Sequence, residues 1–373
     1  MKITLITGNF YNNIDGVSIT IQKLCDFLYR HDIDIQVIAP FSGKKNEKPY
    51  PVIENKSFAL PGRKEYQFCL SMNDAVKTEI KLFTPNLIHI VTPEILGLDG
   101  QKLAEELKIP IVSSFHTNFA SYLAYYKLGF LKPLLNLYLR SFYKKCSHIY
   151  CPSESIYQEM IKNKIYHQKR IWSRGVDQTI FKPDLKNKTF KKELSIPNDD
   201  IIILWVSRLV KEKNFQLFLS VIKQINKKYK NITTLIVGDG PLYKKIPKQK
   251  NIYHLKHQSH EKLAKIYANS DIFLFPSISE TFGSVTLEAM ASGLPCIVAK
   301  SPGSKCLIKN NESGIVIDNI NENTFIDATK KLLEKKNLRK EIGKNAYNQS
   351  LNYNTESENK ELLRYYEELI TKK

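Results

Sequence analysis

Short apolar runs alternate with amphipathic stretches along this chain, and the alternation starts twice. In the first half, strands are predicted at KITLITG, IDIQVIAP, NLIHIVTP and IPIVSSFHT, and then at HIYCPS and KRIWSRGV. Helical stretches such as SITIQKLCDFLYRH and LDGQKLAEELK lie between them. Strands separated by crossover helices pair in parallel. The first half therefore predicts one doubly wound α/β domain.

The same pattern begins again after a polar, lysine-rich connection from about Lys182 to Asp200. DIIILWVSR, ITTLIVGDG, IYHLKH, DIFLFPS and LPCIVAK give a second set of predicted strands. At 373 residues the chain is long for one hydrophobic core and comfortable for two. We therefore expect an α/β protein with two Rossmann-like, doubly wound parallel-sheet domains, in residues 1–182 and 183–350, and a C-terminal helix in residues 351–373.

Cysteine usage and the N-terminus predict a cytoplasmic chain. The six cysteines include no C-x-x-C pair, which indicates free thiols in a reducing compartment. MKITLITGNF enters a strand directly, and no apolar run is long enough for a signal or a membrane span.

The formal net charge of +19 favours an anionic partner. Residues 121–170 hold 9 basic and 2 acidic side chains, so much of the excess of the first half lies in one stretch. A basic nucleic-acid-binding protein is one alternative. It should line a groove with cations and aromatic side chains, and it would leave the carboxylates described next without a role.

Two carboxylates, Glu280 and Glu288, stand eight residues apart in FPSISETFGSVTLEAMASGLP, which predicts strand, loop and helix. Ligands of such a unit lie beyond the strand's carboxyl end, where helix-start amides near Thr281, Phe282 and Gly283 can hold an anion. With up to about 12 Å between them at 1.5 Å per residue, the carboxylates can flank an extended ligand with a central phosphate, such as a sugar nucleotide. Ordinary charges near a helix start are the alternative.

Two cations and two glycines follow other strands of the second half. Arg208 and Lys213 in WVSRLVKEKNF could meet a diphosphate, because an arginine fork binds phosphate oxygens bidentately and a lysine adds a point charge. Gly238 and Gly240 in VGDGP would let backbone approach a ligand, or make a plain tight turn. The third glycine of a dinucleotide fingerprint is absent, so NAD is not predicted.

The E-x7-E arrangement followed by EAMASGLP resembles the donor site of the retaining glycosyltransferases of family 4, or glycosyl transferases group 1. The resemblance implies the GT-B fold, with two domains facing across a cleft and the last helix packed on the first domain. It implies that Glu280 contacts the donor sugar and Glu288 the nucleotide ribose. It also implies that Arg208 and Lys213 stabilise negative charge on the leaving nucleotide.

The resemblance adds two residues of the first half. Gly16, in YNNIDGVS, is similar to a family glycine that faces the donor, and His116, in SSFHT, to a family histidine that contacts the transferred sugar. A common helix-entry glycine and a hydrogen-bonded structural histidine are the alternatives. RGVDQTIFKP, which begins at Arg174, also matches the family.

The expected mechanism needs neither a metal nor a cofactor. Two-step retention requires a carboxylate nucleophile about 5 Å from an acid/base partner, and no such pair can be placed. The resemblance implies that the acceptor attacks on the face that the nucleotide leaves, and that the leaving phosphate oxygen takes the proton. No D-x-D motif stands at a strand end in a metal-binding context. The nucleotide-diphosphate sugar is the donor substrate.

Residues 119–145 combine aromatic and leucine side chains with cations, which favours either an anionic leaflet or an ordinary crossover helix. The similar family members include bacterial enzymes that add glucose or mannose to diacylglycerol or other lipid carriers. We therefore predict hexose transfer, from a donor such as UDP-glucose or GDP-mannose, to a lipid or lipid-linked glycan, lipopolysaccharide included, by a peripheral enzyme of the inner membrane face. The apolar members are Tyr122, Tyr125, Tyr126, Phe130, Leu134, Leu135 and Tyr138, and the cations are Lys127, Lys132, Arg140, Lys144 and Lys145.

Two further enzymes remain open. A soluble glycosyltransferase acting on a small molecule, a polysaccharide or a protein would share every donor-site residue. A sugar-nucleotide epimerase of the same fold is the lesser alternative. For the predicted enzyme we expect a nucleotide-sugar donor, a lipid or glycan acceptor and an anionic membrane surface as partners, and no nucleic acid.

Overall fold

The computed structural model describes residues 1–11, 16–43, 46–60, 63–116 and 129–371. The chain divides into two compact units. Unit 1 comprises Met1–Ser173 together with Glu356–Lys373, and unit 2 comprises Arg174–Thr355. The chain thus returns to unit 1 at its C-terminal end.

Unit 1 is built on a parallel sheet. Its strands are β1 (Lys2–Ile6), β2 (Asp34–Pro40), β3 (Val52–Asn55), the antiparallel pair β4 (Phe58–Leu60) and β5 (Arg63–Phe68), β6 (Leu87–Ile90), β7 (Ile111–Ser114) and β8 (His148–Tyr150). Six of them pair in the order β3-β2-β1-β6-β7-β8. The order reverses between β1 and β6, where Ile3 pairs with Leu87.

Helices cover the sheet of unit 1, and side-chain caps fix where several begin. The Asn73 side chain accepts a hydrogen bond from the Val76 amide, and Ser153 accepts one from the Ile156 amide. The described helices of this part of the chain are α1 (Gly16–Arg30), α2 (Asp74–Phe83), α3 (Ile95–Leu107), α4 (Lys132–Lys144) and α5 (Glu154–Lys162).

Unit 2 repeats the architecture. Its strands are β9 (Ile201–Val206), β10 (Ile232–Val237), β11 (Ile252–His254), β12 (Ile272–Phe275), β13 (Cys296–Ala299) and β14 (Ile315–Ile317). They pair in parallel in the order β11-β10-β9-β12-β13-β14. The order reverses between β9 and β12, as it does between β1 and β6 in unit 1.

Apolar strands buried on both faces and amphipathic helices form the core of unit 2. At its centre Trp205 packs against Phe215, Phe218 and Phe275, with ring centroids 5.0 to 5.2 Å apart. The described helices are α6 (Phe190–Glu193), α7 (Phe215–Lys228), α8 (His260–Ala268), α9 (Ser284–Ala291), α10 (Pro302–Leu307), α11 (Glu322–Glu334) and α12 (Lys336–Ser350).

The last helix, α13 (Thr355–Thr371), contributes to the core of unit 1. Its Leu362 and Tyr366 are fully buried. The Tyr366 hydroxyl lies 2.6 Å from Nδ1 of His89 on β6, and Trp172 Nε1 donates to Asn359 Oδ1 at 3.2 Å. Both polar and apolar contacts therefore attach α13 to this sheet.

The prediction of two doubly wound parallel-sheet domains is confirmed, with one strand in error. KRIWSRGV is not a strand, because it makes only isolated bridges, Cys151 with Ile171 and Val176 with Asn354. Strands β3, β4, β5 and β14 were not predicted. None of the six cysteines, all of which are described, forms a disulfide bond. Within the described ranges, no helix has the length and apolar character that crossing a bilayer requires.

Candidate functional site

The candidate site of unit 2 lies where β9 and β12 end. These strands are neighbours at the point where the strand order reverses, which is where open α/β sheets bind ligands. The loops that follow them are joined by side-chain hydrogen bonds. Asn214 Nδ2 donates to Pro276 O at 2.9 Å, and Ser279 Oγ donates to Glu212 O at 3.1 Å.

Lys213 and Glu280, one from each loop, form an ion pair. Lys213 Nζ lies 2.5 Å from Glu280 Oε1, and the two side chains are only 13% and 15% exposed. Ser277 Oγ donates to the same carboxylate oxygen at 2.7 Å. Two residues 67 positions apart are thus fixed against each other at the edge of the sheet.

The electrostatic surroundings keep Glu280 ionised. Burial by itself would raise the pKa of this carboxyl group, but the Lys213 ammonium, the Ser277 hydroxyl and the Arg174 guanidinium together hold the pKa below its ordinary value. Arg174, which the sequence analysis did not place in the site, therefore acts on the predicted carboxylate.

Arg208 lies in the same loop as Lys213. Its Nη2 is 3.9 Å from Oε1 of Glu212, and the Arg208 side chain is 33% exposed whereas that of Glu212 is 4% exposed. Glu212 stands inside the short turn Lys211–Lys213 that carries Lys213. The buried Glu212 carboxylate orients the Arg208 guanidinium. Part of the Arg208 side chain stays exposed, so the guanidinium is still accessible to an anion.

Gly238 and Gly240 allow two loops to approach each other. A Cβ on Gly238 would lie 2.0 Å from Ser207 O, and one on Gly240 would lie 2.7 Å from Leu209 O. Their φ angles are +123° and +152°, which L side chains rarely adopt. Both glycines therefore pack against the backbone on either side of Arg208, a constraint that exists without any ligand.

Residues 281–283 connect Glu280 to α9. Gly283 precedes the helix with φ +92°, and Gly303 N donates to Glu280 O at 2.9 Å. The Phe282 side chain is buried in the core, with its ring 6.1 Å from that of Tyr353. Because the first amides of a helix have no partner within it, an anion cradle at residues 281–283 stays a prediction, while the Phe282 side chain lies in the core.

Glu288 lies one turn into α9 and is half-buried. The Tyr267 hydroxyl donates to its Oε2 at 3.2 Å and to Val285 O at 3.1 Å. Burial, followed by the Glu288 carboxylate, holds the pKa of Tyr267 well above its usual range, so the phenol remains a donor. The sequence analysis did not predict the contact of Tyr267 with Glu288, because an aromatic side chain on an amphipathic helix is expected to lie in the hydrophobic core.

The other two predicted residues, Gly16 and His116, belong to unit 1. Gly16 is the first residue of α1, and residues 12–15 of the predicted loop lie outside the described residues. His116 follows β7 and is 5% exposed. Its ring lies edge-on to that of Trp172, with centroids 5.5 Å apart. All remaining predicted site residues are in unit 2.

The basic aromatic segment has buried and exposed apolar side chains where it is described. Helix α4 buries Leu139, Phe142 and Tyr143 in the core of unit 1. Phe130, just before it, and Leu134 are 75% and 67% exposed. Of the predicted members, Leu135 and Tyr138 pack partly against the core. Tyr122, Tyr125, Tyr126 and Lys127 lie outside the described residues.

No metal-binding cluster is found in the described part of the chain. There, no three His, Cys, Asp or Glu side chains are grouped so that they could hold an ion. The charged side chains described at the ends of β9 and β12 are Arg208, Lys213, Glu212 and Glu280.

Comparison with solved structures identifies the fold as GT-B. The chain is similar to sucrose-phosphate synthase from Thermosynechococcus elongatus, with a TM-score of 0.83 and 18% sequence identity over 100% of both chains. This likeness establishes the class of architecture, in which each unit is a Rossmann-like parallel-sheet domain.

Family comparison then identifies the chain itself. Residues 14–179 match the family Glycosyltransferase Family 4, and residues 186–349 match Glycosyl transferases group 1. The chain belongs to this glycosyltransferase family, and it is an enzyme of that class.

Curated relatives align over most of the chain. A sulfoquinovosyl transferase of Arabidopsis thaliana is 29% identical over 81% of this chain, which spans 60% of the plant protein. An alpha-monoglucosyldiacylglycerol synthase of Streptococcus pneumoniae is 26% identical over 84% of this chain and 74% of its own length. A GDP-mannose-dependent alpha-mannosyltransferase of Mycolicibacterium smegmatis is 27% identical over 85% and 84%.

Proposed function

We propose that this glycosyltransferase moves a hexose from a nucleotide-diphosphate sugar to a lipid or lipid-linked glycan, with retention of the anomeric configuration. The buried Lys213–Glu280 pair at the end of β9 and β12 carries the proposal. A carboxylate held ionised can accept hydrogen bonds from sugar hydroxyls, and the cations beside it suit a diphosphate.

In the proposed donor complex, each group of unit 2 has one task. Arg208, Lys213 and the backbone amides of residues 281–283 stabilise charge on the diphosphate, while Glu280 binds the hexose. Glu288, oriented by Tyr267, binds the ribose. Gly238 and Gly240 hold the loop of Arg208 in place. Donors such as UDP-glucose and GDP-mannose both fit this chemistry.

The proposed reaction develops negative charge on the leaving diphosphate. Preorganised cations lower the barrier because they require no reorganisation as that charge appears. The acceptor hydroxyl attacks from the face that the diphosphate leaves, and its proton passes to the leaving phosphate oxygen. The transfer proceeds without a metal ion or a cofactor. Gly16 and His116 of unit 1 take part through contacts with the substrates.

The donor is identified by thermal shift with UDP-glucose, GDP-mannose and ADP-glucose, followed by proton NMR of the product's anomeric centre. We expect one donor to raise the melting temperature and the product to keep the donor's anomeric configuration. Inversion would overturn the retaining mechanism. An absence of stabilisation by any of the three would overturn the hexose-donor assignment.

An exposed apolar edge supports the part of the proposal that places the enzyme at a membrane surface, which we propose is the cytoplasmic one. Leu134 and Leu137, three positions apart on one face of α4, are 67% and 62% exposed, and Phe130, just before the helix, is 75% exposed. Exposed Ser141 and Lys144 continue this face four and seven positions after Leu137, and exposed Lys132 flanks it. Apolar side chains beside cations are suited to an anionic leaflet, where each cation contributes about 1 kcal/mol.

Liposome flotation tests the membrane proposal. We expect the protein to float with phosphatidylglycerol-containing vesicles but not with neutral ones, and Leu134→Ser/Leu137→Ser to bind several-fold less. Leu82→Ser is the matched control, because Leu82 is 72% exposed on α2. No binding at any salt concentration would contradict the membrane proposal and favour a soluble acceptor.

A further inference from the structure

In the described part of the chain, both hydrogen bonds that the Glu280 side chain receives go to the same oxygen. Lys213 Nζ lies 2.5 Å from Oε1, and Ser277 Oγ donates to Oε1 at 2.7 Å. The terminal torsion of a glutamate side chain has broad minima, so the rotamer alone does not fix the plane of the carboxylate. Two donors from different loops restrict its rotation, and Oε2 is then the oxygen that can accept a hydrogen bond from a ligand.

Ser277 itself is held in place. It is 1% exposed, and it follows Pro276, whose carbonyl oxygen accepts from Asn214 Nδ2 at 2.9 Å. Its Oγ lies 2.7 Å from Glu280 Oε1 and 3.3 Å from Ser279 Oγ. A hydroxyl has one proton to donate, and the charged acceptor at the shorter distance makes the stronger bond. The Ser277 proton is therefore assigned to Glu280.

The same loop also fixes the turn that carries the other donor. Ser279 Oγ donates to Glu212 O at 3.1 Å, and Glu212 lies inside the turn Lys211–Lys213. Both groups that bind Oε1 of Glu280 are thus positioned by contacts between the loops after β9 and β12.

We propose that Ser277 is a positioning residue of the transfer reaction, which directs Oε2 of Glu280 to a hydroxyl of the donor hexose. This inference rests on the proposed function and extends it to the group that orients the sugar-binding carboxylate. The lysine stem is long and flexible, whereas one carbon joins the serine hydroxyl to its backbone. Ser277 therefore keeps hold of Oε1 when Lys213 contacts the diphosphate.

The test compares a nucleoside diphosphate with its sugar nucleotide by isothermal titration calorimetry. The probes are UDP and UDP-glucose, GDP and GDP-mannose, and ADP and ADP-glucose. The ratio of the two dissociation constants in a pair measures the contribution of the hexose. For the sugar nucleotide that the wild type binds, Ser277→Ala is expected to weaken binding about 10-fold, because a hydrogen bond to a charged group is lost from the sugar site. Binding of the nucleoside diphosphate should stay unchanged.

Two further variants separate positioning from a general effect on the fold. Ser270→Ala is the matched control, because Ser270 is 5% exposed and its Oγ donates to Ile266 O at 2.8 Å, outside the site. It should leave the ratio at the wild-type value. In the background Glu280→Ala, the change Ser277→Ala should weaken sugar-nucleotide binding no further, because Ser277 acts through the carboxylate.

The pH dependence of the ratio gives a second readout. Burial raises the pKa of Glu280, whereas the Lys213 ammonium, the Ser277 hydroxyl and the Arg174 guanidinium lower it. Without the hydroxyl, the carboxyl group takes up its proton at a higher pH. The contribution of the hexose should therefore begin to fall at a higher pH in Ser277→Ala than in the wild type. A purely structural serine would leave that pH unchanged.

The failure of this inference differs from the failure of the proposed function. If the wild type binds a sugar nucleotide and Ser277→Ala keeps the same ratio, the role of Ser277 is overturned and the proposed function stands. Equal loss of both members of a pair in Ser277→Ala would show that the hydroxyl supports the fold of the site, which also overturns the positioning role. A wild type that binds none of the three sugar nucleotides would contradict the proposed function and this inference with it.

Discussion

The two units share a strand order and differ in what stands where that order reverses. In unit 2 the loops after β9 and β12 bring Lys213 and Glu280 within 2.5 Å. In unit 1 the corresponding loops bring a glycine, Gly8, against Glu94. The same topology therefore supplies a charge pair in one unit and a carboxylate packed against a glycine in the other. Fold determines the place of a site, and side chains determine its chemistry.

The interiors of the units differ as well. Unit 1 buries His89 in its central sheet between the Tyr366 hydroxyl at 2.6 Å and Ser114 Oγ at 2.5 Å. The centre of unit 2 is the aromatic cluster around Trp205. An ionisable group in one core gives the two units different responses to acid.

The largest expected effect tests the charge pair of unit 2. Lys213→Ala and Glu280→Ala should each lower kcat about 10²- to 10³-fold, because in the proposed mechanism Lys213 stabilises the developing negative charge and Glu280 positions the hexose. Steady-state transfer with the identified donor measures this. Lys300→Ala, which breaks an exposed pair at 2.9 Å with Asp318, is the control and should stay near wild type. Near-normal activity in either site variant would contradict the assignment.

The next effect compares two glycines. Gly238→Ala should destabilise unit 2 by about 2–3 kcal/mol, because its φ of +123° and its contact with Ser207 backbone both resist a Cβ. Gly8→Ala should cost unit 1 much less, since only a flexible carboxylate must move. Denaturant unfolding of each variant measures the difference. Gly129→Ala, where nothing lies within 4 Å of an added Cβ, is the control.

Acid should unfold unit 1 first. Burial lowers the pKa of His89 to about 3, so below about pH 6.5 the unfolded state takes up a proton that the folded state does not. Stability from this group is complete above pH 6.5 and falls by about 1.4 kcal/mol per pH unit toward pH 3. The pKa of Glu280 is lowered from 4.5, so its contribution is present above pH 4.5 and lost only below it.

The two tryptophans separate these transitions, because Trp172 belongs to unit 1 and Trp205 to unit 2. Fluorescence of Trp205→Phe reports on unit 1, and that of Trp172→Phe reports on unit 2. Between pH 6.5 and 4.5 the melting temperature of unit 1 should fall more steeply. His89→Gln should flatten that slope, and an unchanged slope would show that His89 is not its cause.

The smallest expected effect is that of removing metal ions, and it tests whether transfer needs one. Preincubation with EDTA should change the transfer rate less than about twofold, because in the proposed mechanism Arg208 and Lys213 supply the positive charge that a metal ion could otherwise supply. The control adds excess Mg²⁺ after the chelator. A large loss that Mg²⁺ or Mn²⁺ restores would contradict metal-independent transfer.

Much of the fold could be predicted because apolar strands and amphipathic helices differ in period. The strands that became β9, β10, β12 and β13 were predicted in this way, as was α9 after Glu280. KRIWSRGV was wrongly predicted to be a strand, because its backbone pairs with other segments only through isolated bridges. The spacing of apolar residues does not show whether an extended segment forms one bridge or a continuous ladder of hydrogen bonds. Short edge strands such as β14 carry too few residues for a pattern.

The candidate site could be predicted only in part. Glu280, Lys213 and Arg208 follow strands and match a family pattern, so the sequence singled them out. Arg174 and Tyr267 were missed as members of the site. Their relation to Glu280 and Glu288 depends on packing between segments far apart in the chain.

By itself the sequence determined the class of architecture, two parallel-sheet units, and the residue types at the ends of their strands. Local periodicity and composition are sufficient for that, because they decide which segments are strands and which faces are buried. Only the tertiary structure decided which side chains meet. The Lys213–Glu280 pair, the packing of Gly238 beside Arg208 and the turn of Glu94 over Gly8 all depend on strand order, which places distant loops at one edge of a sheet.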